Sequence, residues 1–158
     1  MKQKIMPCLW FDGQAEEAAN FYVSVFPSGR ALETVHWGKT GPGKEGAVLT
    51  VRFEIEGQEF LALNGGPQYH FTPAFSLSVD CKTQEEVDTY WDKLTEGGGT
   101  VQCGWLTDKF GVSWQIVPDI LPKALAGADR ARADRVLTAM MGMVKLDIAK
   151  LQAAYDGE

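Results

Sequence analysis

The sequence predicts an α+β protein in which one strand–helix–strands unit is used twice and helices follow. Two observations predict this. Apolar residues switch from period two to helical spacing and back in the same order in both halves. The halves also answer each other, FDG-QAEEAANFYVSVFPSG beside VDC-KTQEEVDTYWDKLTEGG, with the aromatic pairs Phe21–Tyr22 and Tyr90–Trp91 in matching helical turns. A third observation sets the end of the repeat: beyond residue 120 no strand signal remains.

Residues 5–11 read as a strand, closed by Gly13. Residues 14–26 carry Ala15, Ala18, Ala19, Tyr22, Val25 and Phe26 at helical spacing, and Pro27 stops the helix. A second strand is expected over 31–37, then the exposed loop GKTGPGKEG. VLTVRFEI within 47–55 and residues 58–63, separated by Gly57, read as a hairpin. The second unit opens with FSLSV at 75–79. Thr83 with Glu86 forms a capping box ahead of a helix whose apolar face is Val87, Tyr90, Trp91 and Leu94. After GGG at 97–99 come strands at 101–106 and 112–117, so this unit is one strand short or has one brief strand. Gly127 and Gly142 interrupt residues 124–154, which predicts two helices. A repeated ferredoxin-like split βαβ arrangement gives the same list of elements, and periodicity alone does not separate the two folds. The boundaries are a first module at 1–64, a second at 74–118 and a helical extension at 120–158, within a single domain.

At 158 residues the chain is long enough to bury roughly 70% of the surface its unfolded form exposes. A net charge of -6 without a basic stripe argues against nucleic acid as partner. The opening MKQKIMPCLWFDG meets Asp12 before an apolar run of signal-peptide length, and no later run is long enough to span a membrane. Cys8, Cys81 and Cys103 are odd in number and lack metal-type spacing, which fits free thiols in a reducing, cytoplasmic setting.

Four segments, PCLWFDGQAEEAANFY, GQEFLALNGG, CGWLTDKFGVSWQIVP and the tail MMGMVKLDIAKLQAA, resemble the PhnB-like branch of the glyoxalase, or vicinal oxygen chelate, superfamily, over nearly the whole chain. Members of this branch are often labelled 3-demethylubiquinone-9 3-methyltransferase-like. The resemblance implies paired βαβββ modules of the glyoxalase/bleomycin-resistance type, a curved sheet around a cavity, and a homodimer. Metal-dependent relatives place His and Glu ligands on the first and last strand of each module. Those places fall here near Met6, Ala62, Ala74 and Gln115. Strand alternation sends Leu9, Phe11, Phe75, Leu77, Val79, Trp114 and Ile116 to the helix side, leaving Met6, Ala74 and Gln115 facing the cavity. A thioether, two methyl groups and a neutral amide are no site for a hard or borderline divalent ion. The expectation is therefore no metal and no cofactor. Neither GKTGPGKEG nor EGGGT is flanked as a nucleotide-type G-x-G-x-x-G turn, so the methyltransferase label stands as a family name.

The candidate ligand-binding residues are Cys8, Trp10, His36, Asn64, Cys103, Trp105 and Gln115. Trp10 and Trp105 are expected to wall an apolar pocket, and Asn64 and Gln115 to orient a ligand. Trp91 and Trp114 are assigned to the core. His36 is the candidate base, because its ordinary pKa lies near neutrality and a loop follows it. His70 and Cys81 read as structural, as does TDKFG, where Asp108 bonds its own backbone in a turn. The leading expectation is a metal-independent protein binding a small, partly apolar molecule. The alternatives are an enzyme, either the methyltransferase of the family label or a lyase/isomerase using His36, and a non-catalytic structural dimer.

Overall fold

The computed structural model describes residues 3–158, and the chain divides into two compact units, Met1–Phe71 and Thr72–Glu158. The first unit runs β1 (Cys8–Phe11), α1 (Ala15–Val25), β2 (Arg30–His36), β3 (Val48–Ile55) and β4 (Gln58–Asn64), in the sheet order β1-β4-β3-β2. β1 pairs with β4 in parallel, and the other neighbours are antiparallel. α1 packs one face of this sheet, and Leu9, Phe11, Val51, Phe53, Phe60 and Ala62 are buried beneath it. Tyr22 of the helix stacks on Phe53, which stacks on Phe60.

The expected hairpin closes in a two-residue turn, Glu56 at φ 48° and Gly57 at φ 76°, the pair of positive angles that suits strand twist. A non-glycine residue there needs holding. The Ser28 hydroxyl accepts from Glu56 N at 2.9 Å and donates to its carboxylate at 2.7 Å. The first strand is shorter than expected. The chain bends at residues 4 and 5, so Met6 lies ahead of β1; in this stretch the Pro7 carbonyl accepts from Leu61 N, and the Gln3 amide donates to Glu59 O and accepts from Glu59 N of β4.

The second unit repeats the plan with β5 (Ser76–Cys81), α2 (Gln84–Thr95), β6 (Gly99–Thr100), β7 (Trp105–Thr107) and β8 (Ser113–Pro118), ordered β5-β8-β7-β6. The brief strand is β6. The expected strand over 101–106 is instead a turn followed by β7: Val101 N donates to Trp105 O, Trp105 N to Gln102 O, and Cys103 adopts φ 62°. Phe75 does not join the packed row either. It precedes β5 and is 51% exposed, whereas Leu77, Val79 and Cys81 keep the helix-side parity opposite Trp114, Ile116 and Pro118. The cap of α2 forms as read, with a shift of one residue. Thr83 Oγ1 accepts from Glu86 N, and the Glu86 carboxylate accepts from Lys82 N rather than from the cap residue itself.

TDKFG is a structural turn with a further duty. Asp108, 2% exposed, accepts from Phe110 N and Val112 N through Oδ1, and from Trp114 Nε1 at 2.8 Å through Oδ2.

Three helices follow, not two: α3 (Ile120–Ala126), α4 (Arg130–Met141) and α5 (Ile148–Asp156). The breaks do fall at Gly127 and near Gly142, and Asp129 and Asp147 cap the next helices through Arg132 N and Lys150 N. Met140, Met141, Val144, Ile148 and Leu151, which in sequence suggest one apolar helix face, are therefore divided, with Met140 and Met141 on α4 and Ile148 and Leu151 on α5. Leu146 and Leu151 bury themselves with Leu121, Ala124 and Val136, and Met140 and Met143 pack against that cluster. The tail covers the end of its own unit through Val117.

Candidate functional site

In the first unit the face of the sheet opposite α1 is built from two cross-strand rows. Cys8, Leu61, Arg52 and Glu33 stand in one, and Trp10, Leu63, Thr50 and Val35 in the next. Strand alternation puts them there, since their sequence neighbours Leu9, Phe11, Val51, Phe53 and Ala62 go under the helix. None of these row residues is fully buried: Trp10, Thr50, Arg52, Leu61 and Leu63 are half-buried.

Trp10 is fixed rather than loose. Its Nε1 donates to Gly66 O at 2.8 Å and its ring meets Tyr69 edge-on at 5.0 Å. Gly65 lies so close that a Cβ there would come within 2.3 Å of the indole. Cys8 is exposed by area, yet desolvation by its surroundings raises its thiol pKa, which disfavours the nucleophilic thiolate. Arg52 is the charged member. Its Nη2 lies 3.9 Å from Glu33 and its Nε 3.9 Å from Glu59, distances too long for hydrogen bonds, and the Nε is buried without a partner. Arg30, on the same sheet, instead forks onto Glu54 at 3.1 and 3.2 Å.

In the second unit the corresponding face aligns Ser78, Gln115 and Trp105 in one row. Gln115 Nε2 donates to Ser76 Oγ at 2.9 Å. Trp105 is half-buried. Cys103 sits in the preceding turn, where its N–H and that of Gly104 donate to Met143 O and Val144 O of the tail, both at 2.8 Å. Cys81 is buried, with its pKa pushed up to about 12 by desolvation first and then by the Glu86 and Asp80 charges. It is chemically quiet at neutral pH.

Two expected site residues stand elsewhere. Asn64 shares the Phe11 row on the helix side, where its Oδ1 caps α1 by accepting from Ala15 N at 2.9 Å and its Nδ2 donates to Val48 O. Both ends of its amide are thus used by backbone, which accounts for its polarity without a ligand. His36 is exposed at the end of edge strand β2, next to a register shift.

The four places at which metal-dependent relatives carry ligands do not fit an ion. Ala62 is 0% exposed on the helix side, in register with Leu9 and Val51. Met6 and Ala74 lie outside the strands, and Gln115 is a bonded amide. Among the described residues no group of three or more His, Cys, Asp or Glu is gathered as for a metal. GKTGPGKEG joins antiparallel β2 to β3, and the glycines at 97–99 join α2 to β6, so neither makes the strand–turn–helix that cradles a nucleotide. Among the described residues no helix is long and apolar enough to cross a membrane.

Sequence reasoning passed over a second opening in the first unit. A cleft of about 440 Å³ is lined by Asp12, Glu16, Trp37, Lys44, Val48 and Asn64, among others. The glycine-rich loop is shaped around Trp37: a Cβ on Gly43 would meet the indole at 2.2 Å. A tryptophan at a strand end followed by glycines was the available signal. Arg52 was missed too, because one arginine within VLTVRFEI looks like an ordinary outward residue.

The family described as 3-demethylubiquinone-9 3-methyltransferase matches residues 3–117. The tail MMGMVKLDIAKLQAA, taken above as one of the family's marks, lies beyond that match. A putative 3-demethylubiquinone-9 3-methyltransferase, PhnB protein, from Bacillus cereus is 41% identical, with a TM-score of 0.68 over 73% of this chain and 99% of that one. A protein from Pseudomonas aeruginosa is 20% identical, with a TM-score of 0.62 over 74% and 98%. The fosfomycin resistance protein FosX from Listeria monocytogenes is 13% identical, with a TM-score of 0.50 over 72% and 90%, a likeness of fold alone. None of the curated proteins matches the chain. Matched along both βαβββ units and 41% identical to the Bacillus cereus protein over the aligned 73% of the chain, this chain belongs to the PhnB-like 3-demethylubiquinone-9 3-methyltransferase family.

Proposed function

We propose that the chain binds a small, partly apolar molecule against the helix-opposite face of its first sheet, without a resident metal. The observation that carries this reading is unequal burial of the two faces. Leu9, Phe11, Val51, Phe53 and Ala62 are sealed under α1, while Trp10, Leu61, Leu63, Thr50 and Arg52 stop half-buried. A mostly apolar surface with a few fixed polar groups is the usual composition of a small-molecule site. Trp10 and Cys8 belong to it directly, and Trp105, Gln115 and Cys103 offer a similar surface in the second unit. The three free thiols support a reducing, cytoplasmic setting.

The test is mass spectrometry of small molecules extracted from gently purified protein, with metal content measured on the same sample. The expected result is an organic ligand that disappears in Trp10→Ala while the variant stays folded, and well under one equivalent of any transition metal. A stoichiometric metal that survives dialysis, or a ligand retained in full by Trp10→Ala, sinks the reading.

A further inference from the structure

The cleft of about 440 Å³ in the first unit brings charges of both signs to one aromatic ring, and Trp10, Leu61 and Leu63 do not line it. Asp12 precedes α1, Glu16 stands in its first turn, and Trp37 and Lys44 come from the loop between β2 and β3. The tryptophan is held in place by the loop itself. Trp37 N donates to Ala47 O and Trp37 O accepts from Gly46 N, both at 2.8 Å, which closes the base of the loop. Within the loop the backbone runs against the indole. A Cβ on Gly41 would come within 2.4 Å of the six-membered ring, and one on Gly43 within 2.2 Å of Nε1. The charges, by contrast, are unengaged. Among the described residues Asp12, Glu16 and Lys44 form no ion pair, with one another or with any other side chain. We infer that this cleft takes a small organic monocation of the alkylammonium class, its methyl groups on the Trp37 indole and its charge facing Asp12 and Glu16. The site is separate from the surface of the binding reading above and does not depend on it.

Charge and surface together select that class. Two carboxylates against one ammonium leave the walls with a net negative charge. The helix end adds nothing for an anion. Ala15 N is already taken by Asn64 Oδ1, and Glu16 and Glu17 in the first turn answer the positive end of α1 with its own carboxylates. A bare metal ion fits no better, since among the described residues no group of three His, Cys, Asp or Glu is gathered to hold one. The indole decides for an organic cation. Its electron-rich face attracts positive charge, and its area covers alkyl groups that water solvates poorly. A ring fixed by its own loop loses little freedom when a ligand settles on it.

Three probes test this on the full chain: choline, glycine betaine, and neohexyl alcohol, in which carbon replaces the nitrogen of choline. Nitrogen–proton NMR follows the Trp37 indole N–H, assigned by its loss in Trp37→Phe, and the Trp10 indole N–H reports the other surface. At low salt choline should shift Trp37 and bind about tenfold tighter than the alcohol, with the margin shrinking as salt is added. Glycine betaine should bind more weakly than choline. Asp12→Asn with Glu16→Gln should remove the margin, and Lys44→Gln, which deletes a like charge, should widen it; all three positions are exposed. If the double variant does not fold, Lys44→Gln decides alone, and a margin that narrows in it overturns the inference. Equal binding of choline and the alcohol, or a choline shift confined to Trp10, also overturns it. Tighter binding of glycine betaine overturns it in favour of a zwitterion whose carboxylate Lys44 holds. None of these results removes the reading of the Trp10 surface, which is decided by its own extraction test.

Discussion

Trp114 and Trp10 show how differently the same residue type is used. Trp114 is 1% exposed, and its Nε1 is bonded to a carboxylate that itself holds the TDKFG turn. Truncating it empties a large core volume and strands a buried acceptor, so Trp114→Ala should cost about 3–5 kcal/mol. Trp10→Ala and Trp105→Ala, on half-buried faces, should cost clearly less in the same denaturant titration. Equal large losses at all three would make these tryptophans core alone. Asp108→Asn turns an acceptor into a donor opposite the indole N–H, and should cost about 1–3 kcal/mol. Gly43 makes a steric prediction. An alanine there collides with Trp37, whereas at Gly38 a Cβ meets nothing within 4 Å. Gly43→Ala should lower stability by about 1–3 kcal/mol and shift the Trp37 indole resonance, with Gly38→Ala near neutral. A silent Gly43→Ala would mean that the loop yields freely. Strand parity alone placed Trp114, Ile116 and Gln115 correctly. Parity does not decide Asn64, because a polar residue at a strand end reads the same whether it meets a ligand or caps a helix.

At the scale of elements, the tail is fastened to α2 by a small polar set. Gln84 Nε2 donates to Leu146 O and to Asp88 Oδ1, Gln84 Oε1 accepts from Ile148 N, and Lys145 Nζ reaches Asp88 at 2.8 Å. The Lys145 hydrogen bond, then that from Gln84, holds the Asp88 carboxyl below the usual carboxylate range. The same bond raises Lys145 above the usual lysine range. A depressed carboxyl contributes stability above its unfolded pKa and loses it as pH falls through the folded one. A raised amine contributes below its unfolded pKa and loses it as pH climbs through the folded one. The clasp is thus complete between the two ordinary values and weakens at both extremes. Amide exchange in α5 should quicken as pH falls below the carboxylate range, after correction for intrinsic rates, and Asp88→Asn should flatten that dependence. An unchanged profile in Asp88→Asn would mean that the buried leucines alone hold α5. None of this clasp was legible in sequence, since Gln84 and Leu146 are far apart along the chain. The α2 cap was legible because its signal is local. The brief β6 was only half legible, because a two-residue strand beginning with glycine has no period to detect, and Val101 resembles strand although it is exposed.

For the whole molecule the open question is what meets its remaining apolar surface. The apolar residues of the tail are largely used inside its own unit, through Met140, Met143, Leu146 and Leu151. What is left outside is a narrower strip. Leu137 and Met141 lie one turn apart on α4, with Val144 just after it, and all three are exposed, Met141 at 64%. Three exposed apolar side chains are at the margin of what monomers tolerate, and two of them, Leu137 and Met141, share one face of α4. If the chain is a homodimer through this strip, the two copies meet α4 against α4 about a twofold axis, each presenting the same residues. Sedimentation at micromolar concentration should then give roughly twice 17.4 kDa. Leu137→Glu with Met141→Glu places two carboxylates on each side of that axis and should yield a folded monomer with unchanged circular dichroism. A wild-type monomer ends the dimer proposal, and a double variant that stays dimeric moves the interface away from α4.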